Sequence, residues 1–303
     1  MGASATLLEP LVSAIERYVM TAHKLHADDT PVPVLSPGKG RTKTARLWAY
    51  VRDDRPAASR DPPAVVYRYS PDRKAEHPRS HLSHFIGVLQ ADGYAGFNGL
   101  YQRPEQPLLE AACWAHAWRK FYDVYVTDRS PTAAEAIGRI GQLYALERLI
   151  RGQAPRARAA VREQQAVPIL AELKTWLSTT HPQLSIKSPL AATIQYTLSR
   201  WTALTRYVHD GRLEIDNNAA ERAIRALVLG RRNYLFAGSD AGGETAARLY
   251  SLIGTCRLNG IDPHLYLKHV LERIAAHPIN RIDELLPWRV AAQLPTAALS
   301  RAA

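Results

Sequence analysis

The sequence predicts a mixed α/β fold with flanking helices, interrupted by an all-helical stretch and followed by further helices. Three observations carry this expectation. Across 45–53 and 65–69 the residues alternate or are β-branched and aromatic, as in half-buried strands. From Pro131 the apolar period becomes helical and stays so for about 80 residues. The 303 residues, 46% hydrophobic and 22% charged, suffice for one large core or two smaller ones and lie outside the composition of disordered chains.

The elements follow in order. Leu7, Leu8, Leu11, Ile15, Val19 and Met20 have helical spacing, so 7–21 reads as an amphipathic helix. Lys24–Asp28 reads as a first strand ending in an acid, and Thr30–Gly40, with its prolines and glycines, as a loop. Ala45–Asp53 and Val65–Tyr69 are expected to be antiparallel strands joined by a wide turn with Pro56, Pro62 and Pro63. A helix is expected around Arg79–Leu89, with Asp92 closing that element, then a short strand over Glu110–Trp114 and a helix holding Trp118 and Phe121. In the helical stretch, Ile137, Ile140, Leu143, Leu146 and Leu149 make one stripe. Ile169, Leu170, Leu173, Trp176 and Leu177 make a second, and Ile194, Leu198, Trp201, Leu204 and Val208 a third. More helix is expected over 218–230, 244–258 and 263–276, the last opened by Asp262 as N-cap and Pro263 as first helical residue. The Ala-rich tail after Pro287 reads as frayed.

Composition narrows the function classes. Lys and Arg number 39 against 28 Asp and Glu, a net charge of +11. The excess is uneven: 16 basic and 13 acidic groups in 1–127, 23 and 15 in 128–303. The second half is therefore the expected polyanion-facing part, with a solvated basic face as the alternative. Two cysteines, Cys113 and Cys256, exclude a disulfide framework, and no Cys-x-x-Cys pair offers a structural zinc site, so the chain reads as intracellular. No apolar run is long enough for a membrane span and none resembles a signal peptide. The opening Met1–Thr6 fits a loose myristoylation pattern that matches often by chance.

Three acids stand where chemistry could use them: Asp28 and Asp92, each closing a strand-like element, and Glu221, early on a basic helix. Carboxylates at neighbouring strand ends converge, and an all-oxygen set suits a hard cation such as Mg²⁺ or Mn²⁺. Two such ions can activate water and stabilise a leaving 3′ oxygen. Turn chemistry is the alternative for Asp28 and Asp92, and a capping box from Asn218 to Glu221 is the alternative for Glu221.

Six ordered blocks carry a resemblance. They are His26–Pro31 (HADDTP), Leu89–Tyr94 (LQADGY), Cys113–His116 (CWAH), Asp216–Arg225 (DNNAAERAIR), Phe236–Ser239 with Gly242-Gly243, and Leu258–Pro263 (LNGIDP). In this order they resemble bacterial transposases of the insertion sequence 66 family, over about residues 5 to 290. The resemblance implies an Asp-Asp-Glu transposase on a ribonuclease H-like core, with Asp28, Asp92 and Glu221 as catalytic residues holding two Mg²⁺ or Mn²⁺ ions. It implies an N-terminal helix (1–22), a first core part (23–127), a helical insertion (128–212), core completion with the catalytic helix (213–256), and a C-terminal helical region and tail (257–303). It implies DNA, at element ends and target, as partner, a homo-oligomer on DNA, accessory proteins of the same element, and a bacterial cytoplasmic, nucleoid-associated location without a membrane. Asp29 stands where the family usually has Glu, and Trp118 where it usually has Arg. Longer members carry an upstream region that this sequence lacks, so a truncated, inactive remnant that binds DNA or a full-length partner is the alternative reading.

The remaining candidates concern DNA. Cys113-x-x-His116, with Lys120 one turn on, resembles the Cys-x-x-His element that follows the second aspartate in several transposase families, which implies a role beside the active site or in handling flanking DNA; a buried thiol and a hydrogen-bonded histidine is the plain alternative. Arg222, Arg225, Arg231 and Arg232 follow Glu221 closely and suit phosphate contact, or else a solvated face. His77, His81 and His84 share a helical face expected to be solvated, and Gly38-Lys39-Gly40 reads as a mobile basic loop. Gly238, Gly242 and Gly243 could bring backbone N–H groups to DNA, or simply form a turn.

Overall fold

In a computed structural model, residues 6–295 are described apart from 37, 39, 106–107 and 231–235. Arg231, Arg232, Lys39, the myristoylation pattern and the Ala-rich tail fall largely or wholly outside the described residues. Five strands form one mixed sheet in the order β3-β2-β1-β4-β5, namely β1 (Lys24–Ser36), β2 (Arg41–Arg52), β3 (Ala64–Ser70), β4 (Val88–Ala91) and β5 (Leu109–Ala112). The first three are antiparallel neighbours, whereas β4 runs parallel to β1 and β5 parallel to β4.

The largest departure from the sequence reading is β1. The loop expected over Thr30–Gly40 is strand as far as Ser36, paired residue for residue with β2, so Asp28 lies mid-strand and not at a strand end. Its prolines are tolerated because of where their missing N–H groups would point. Leu35 N–H and the Pro33 carbonyl both bond Ala237, on the side away from β2, so Pro31 and Pro33 leave the β2 ladder intact. Other limits also move. The expected helix over Arg79–Leu89 is α2, only Glu76–His81, because Val88–Ala91 is β4. The strand expected to reach Trp114 ends at Ala112, and the helix expected to end at 276 ends at Leu271. The histidine face is not simply solvated: His81 Nδ1 lies 2.9 Å from Tyr50 Oη and His77 Nε2 lies 2.7 Å from Asp72.

Strand alternation sorts the two faces. Leu25 and Ala27, with Trp48, Tyr50 and Val66, pack under α1 (Glu9–Met20) and the C-terminal helices. Val32 and Val34, with Leu47 and Ala49, pack on the other face under α8 (Asn218–Gly230). Asp28, of the same parity as Val32, faces α8. Edge strand β3 is covered by α9 (Asp240–Leu258), whose Ser251 and Thr255 hydroxyls accept the N–H groups of Tyr67 and Val65 at 2.8 and 3.1 Å.

A helical block packs beside β4 and β5. It comprises α3 (Trp114–Asp128), α4 (Pro131–Ile150), α5 (Pro155–Val161), α6 (Val167–Thr180) and α7 (Pro189–Ser199). Ser130 and Ser188 cap α4 and α7, each just before a proline. Ile140, Leu143 and Leu146 enter the core with Trp114 and Phe121, but Leu149 is 74% exposed. A stripe repeating every third residue walks about 60° around a helix per step, so its end leaves the buried face. Asp262 caps α10 (Pro263–Leu271) as expected, accepting from His264 and Leu265.

Candidate active site

The parallel register of β1 and β4 brings the two aspartates level. His26 pairs with Gln90, and continuing the register sets Asp28 beside Asp92, immediately past the end of β4. Asp92 Oδ1 accepts the Tyr94 N–H at 3.1 Å across Gly93, whose φ of +89° suits glycine. A Cβ there would also meet the Arg200 guanidinium at 2.8 Å. Burial pushes the Asp28 carboxyl up to about 7, with repulsion from Asp92, Asp29 and Glu221 adding to it and the Asp29 N–H, at 2.7 Å, opposing it. Asp29 faces the opposite side of the sheet, where Arg73 and Arg46 hold it at 2.8 and 3.1 Å.

Glu221 is delivered by the segment that enters α8. The Gln90 side chain pairs with the Glu214 backbone, accepting its N–H at 3.0 Å and donating to its carbonyl at 2.8 Å. Ile215 accepts the Trp114 N–H. Asn217 donates to the Ala27 carbonyl at 2.8 Å, and its Oδ1 lies 3.1 Å from His26 Nδ1. The Asn217 N–H ends on Cys113 Sγ at 3.2 Å. All of these tethers are buried and rise from β1, β4 and the start of α3, so they fix where the first turn of α8 begins. Asp216 Oδ1 accepts the Asn218 N–H at 3.1 Å, which leaves Glu221 free of the capping-box role.

The Glu221 carboxylate has two different sides. Oε2 lies 3.5 Å from the Arg119 guanidinium. Oε1 is buried without a hydrogen-bond partner, 3.7 Å from His116 Nδ1, which is likewise buried and unpartnered. Burial holds the His116 imidazole below its ordinary value, against the pull of Asp92 and Glu221. Burial pushes the Cys113 thiol up to about 12.

Residues 1–245 match the family described as "Transposase IS66 family", and residues 251–288 match the "IS66 C-terminal element". The chain belongs to the IS66 transposase family. It is 41% identical over 302 residues to the uncharacterized protein y4hP of Sinorhizobium fredii strain NGR234, a match covering 95% of this chain and 54% of that protein. The uncharacterized proteins y4qI and y4jD of the same strain are each 40% identical, with 95% and 93% of this chain and 54% and 56% of theirs covered. The chain thus spans about half the length of the curated relatives it matches. No solved structure matches it.

Other predicted residues of this IS66 family chain are placed variously. Lys120 lies over the Tyr196 ring, 4.7 Å from its centroid, and the Tyr196 hydroxyl reaches the Asp92 carbonyl at 3.5 Å. Arg225 is exposed one turn beyond Glu221 on α8. Arg222 turns away and lines a cavity of about 140 Å³ with His26, Tyr144 and Asp216. Gly242 N–H bonds the Ser239 cap and Gly243 packs on the Tyr69 ring, so both serve the start of α9. The sequence reading assigned no role to Arg119, Gln90 or Asn217, although all three lie in or beside the quoted blocks. No helix among the described residues is long and apolar enough to cross a membrane.

Proposed function

We propose that this chain is the catalytic region of a DNA transposase of the Asp-Asp-Glu type, performing cation-dependent phosphodiester hydrolysis and strand transfer for movement of an insertion sequence. Family membership supports transposition, and the observation that supports the chemistry is that the buried Asp28 carboxyl is raised by burial and by the charges of Asp92 and Glu221. This puts the three acids within electrostatic range of one another, although their oxygens do not form one of the tight ligand groups among the described residues. The sheet order, an antiparallel three-strand unit continued by two parallel strands, supports reading the core as ribonuclease H-like. On that reading 23–127 and 213–256 are its two parts and 128–212 is the helical insertion between them.

The residues fit two Mg²⁺ or Mn²⁺ ions. The three carboxylates are hard oxygen donors, burial and then repulsion from its acidic neighbours raise Asp28, and Glu221 Oε1 is a buried acceptor awaiting a positive partner. The chemistry supplied by bound cations would be activation of a water and neutralisation of charge on the departing 3′ oxygen. Asp28, Asp92 and Glu221 hold the centre. Asp28 must release its proton to do so, because in the cation-free protein it keeps it to about pH 7. Arg119 orients Glu221 through Oε2, and Lys120 and Arg225 offer charge to the flanking phosphates. DNA is the partner this arrangement fits, with copies of the chain assembling on it.

The test is nicking and joining of labelled DNA carrying the element's own ends, at a stated salt concentration, by wild type and Glu221→Gln. Cleavage and joining that need Mg²⁺ or Mn²⁺ and are lost in the variant uphold the proposal. Cleavage without joining would make the chain a stand-alone nuclease. Binding without cleavage by either protein would make it an inactive partner of a full-length transposase.

A further inference from the structure

Two groupings of metal-ligating atoms occur among the described residues, and they differ in one respect. In Asp72, Glu76 and His77 two of the donors are already used: Asp72 Oδ1 accepts the Lys74 N–H at 3.0 Å and faces His77 Nε2 at 2.7 Å. In Cys113, His116 and Glu221, by contrast, two donors are free. His116 Nδ1 and Glu221 Oε1 face each other at 3.7 Å, each buried and without a hydrogen-bond partner. Leaving two buried acceptors or donors unsatisfied side by side is costly unless something positive sits between them. Atoms each about 2.0–2.2 Å from one cation lie some 3.0–3.5 Å apart when adjacent, so a shift of a few tenths of an ångström closes the pair on an ion.

We propose that His116 Nδ1 and Glu221 Oε1 are adjacent ligands of a single divalent cation, so that one position of the centre takes Mn²⁺, Co²⁺ or Zn²⁺ in preference to Mg²⁺. This deepens the function proposed above and rests on Glu221 being a cation ligand there. The preference follows from donor chemistry. Carboxylates and water suit Mg²⁺, whereas an imidazole nitrogen favours the later, softer ions. The surroundings fit such a role. Arg119 engages the other carboxylate oxygen and so directs Oε1 toward His116. The Asp92 carboxylate is close enough to pull on the His116 imidazole. Cys113, the third member of the grouping, is left out because its Sγ already accepts the Asn217 N–H.

The experiment is equilibrium binding of MnCl₂ and, separately, MgCl₂ to the untagged full chain. The proteins are wild type, His116→Ala and Glu221→Gln, with electron spin echo spectroscopy of bound Mn²⁺. The expected result is a ¹⁴N coupling from a directly bound imidazole in wild type that His116→Ala lacks. That variant should lose Mn²⁺ affinity by about tenfold or more and Mg²⁺ affinity by less than about threefold. The spectroscopic readout on wild type does not depend on how well the variant folds. Bound Mn²⁺ without nitrogen coupling, with equal affinity in His116→Ala, would overturn this proposal and leave the carboxylate centre standing. A sulfur-to-metal charge-transfer band on adding Co²⁺ would also overturn it, by assigning Cys113 as the ligand. No Mn²⁺ or Mg²⁺ binding by wild type would overturn both this proposal and the reading it rests on.

Discussion

Asp28 is where function and stability oppose each other. In the unfolded chain its carboxyl ionises near 3.8; in the fold, burial and the neighbouring acids hold the proton to about 7. The folded protein therefore resists an ionisation that the unfolded chain undergoes freely. Full stability from this group is present below about pH 4 and is lost as pH rises to about 7. Asp28→Asn should remove that slope. Thermal melts of cation-free protein at pH 8 are expected to show the variant more stable by on the order of 2–4 kcal/mol, while at pH 4 the two coincide. MnCl₂ should raise the melting temperature of wild type at pH 8 by more than that of Asp28→Asn. At this scale the ordered motifs single out the three acids, while the structure sets Asp28 mid-strand and not at a strand end. Arg119 was not legible: its partner Glu221 is 102 residues away, and no local pattern signals an ion pair at that range.

At the scale of elements, the Glu221-bearing helix α8 is only as well placed as the segment that feeds it. Arg158 and Arg162, both fully buried, gather the carbonyls of Tyr207, Asp210, Gly211 and Leu213 and pair with Glu147 and Glu214. Arg162→Met would leave Glu147 short of one of its partners and three carbonyls without a donor, so it is expected to cost about 3–5 kcal/mol in denaturant unfolding. Asn217→Ala removes two tethers between β1 and α8. About 1–3 kcal/mol is expected for the acceptor left unpaired, together with a loss of nicking out of proportion to the loss of stability. The sequence displayed most of the helices, the Asp262 cap of α10, and β2 and β3, since each has its own period. It hid the outer half of β1, because a proline's cost in a strand depends on which edge its missing N–H would face. That in turn requires the register with β2 and the bridge to Ala237. It also hid β4, whose first two residues, Val88 and Leu89, read as the tail of a helix.

For the molecule as a whole, the net charge of +11 and its concentration in the second half set how it should meet DNA. Arg225→Ala is expected to weaken binding about equally across sequences and to reduce the slope of log affinity against log salt by about 1. A change confined to one sequence would instead make Arg225 a base reader. Division of the chain into a strand-rich part and a helical block was legible from the change of period at Pro131. How the two meet was not, since it is built from the buried arginines and from backbone pairing by Gln90, which no periodicity records. Asp28, Asp92 and Glu221 are proposed to form a single cation-holding centre. Crystals grown with MnCl₂ and measured for anomalous scattering test it most directly. A peak in contact with all three carboxylates is the predicted result; Mn²⁺ bound elsewhere, with these three empty, would contradict it.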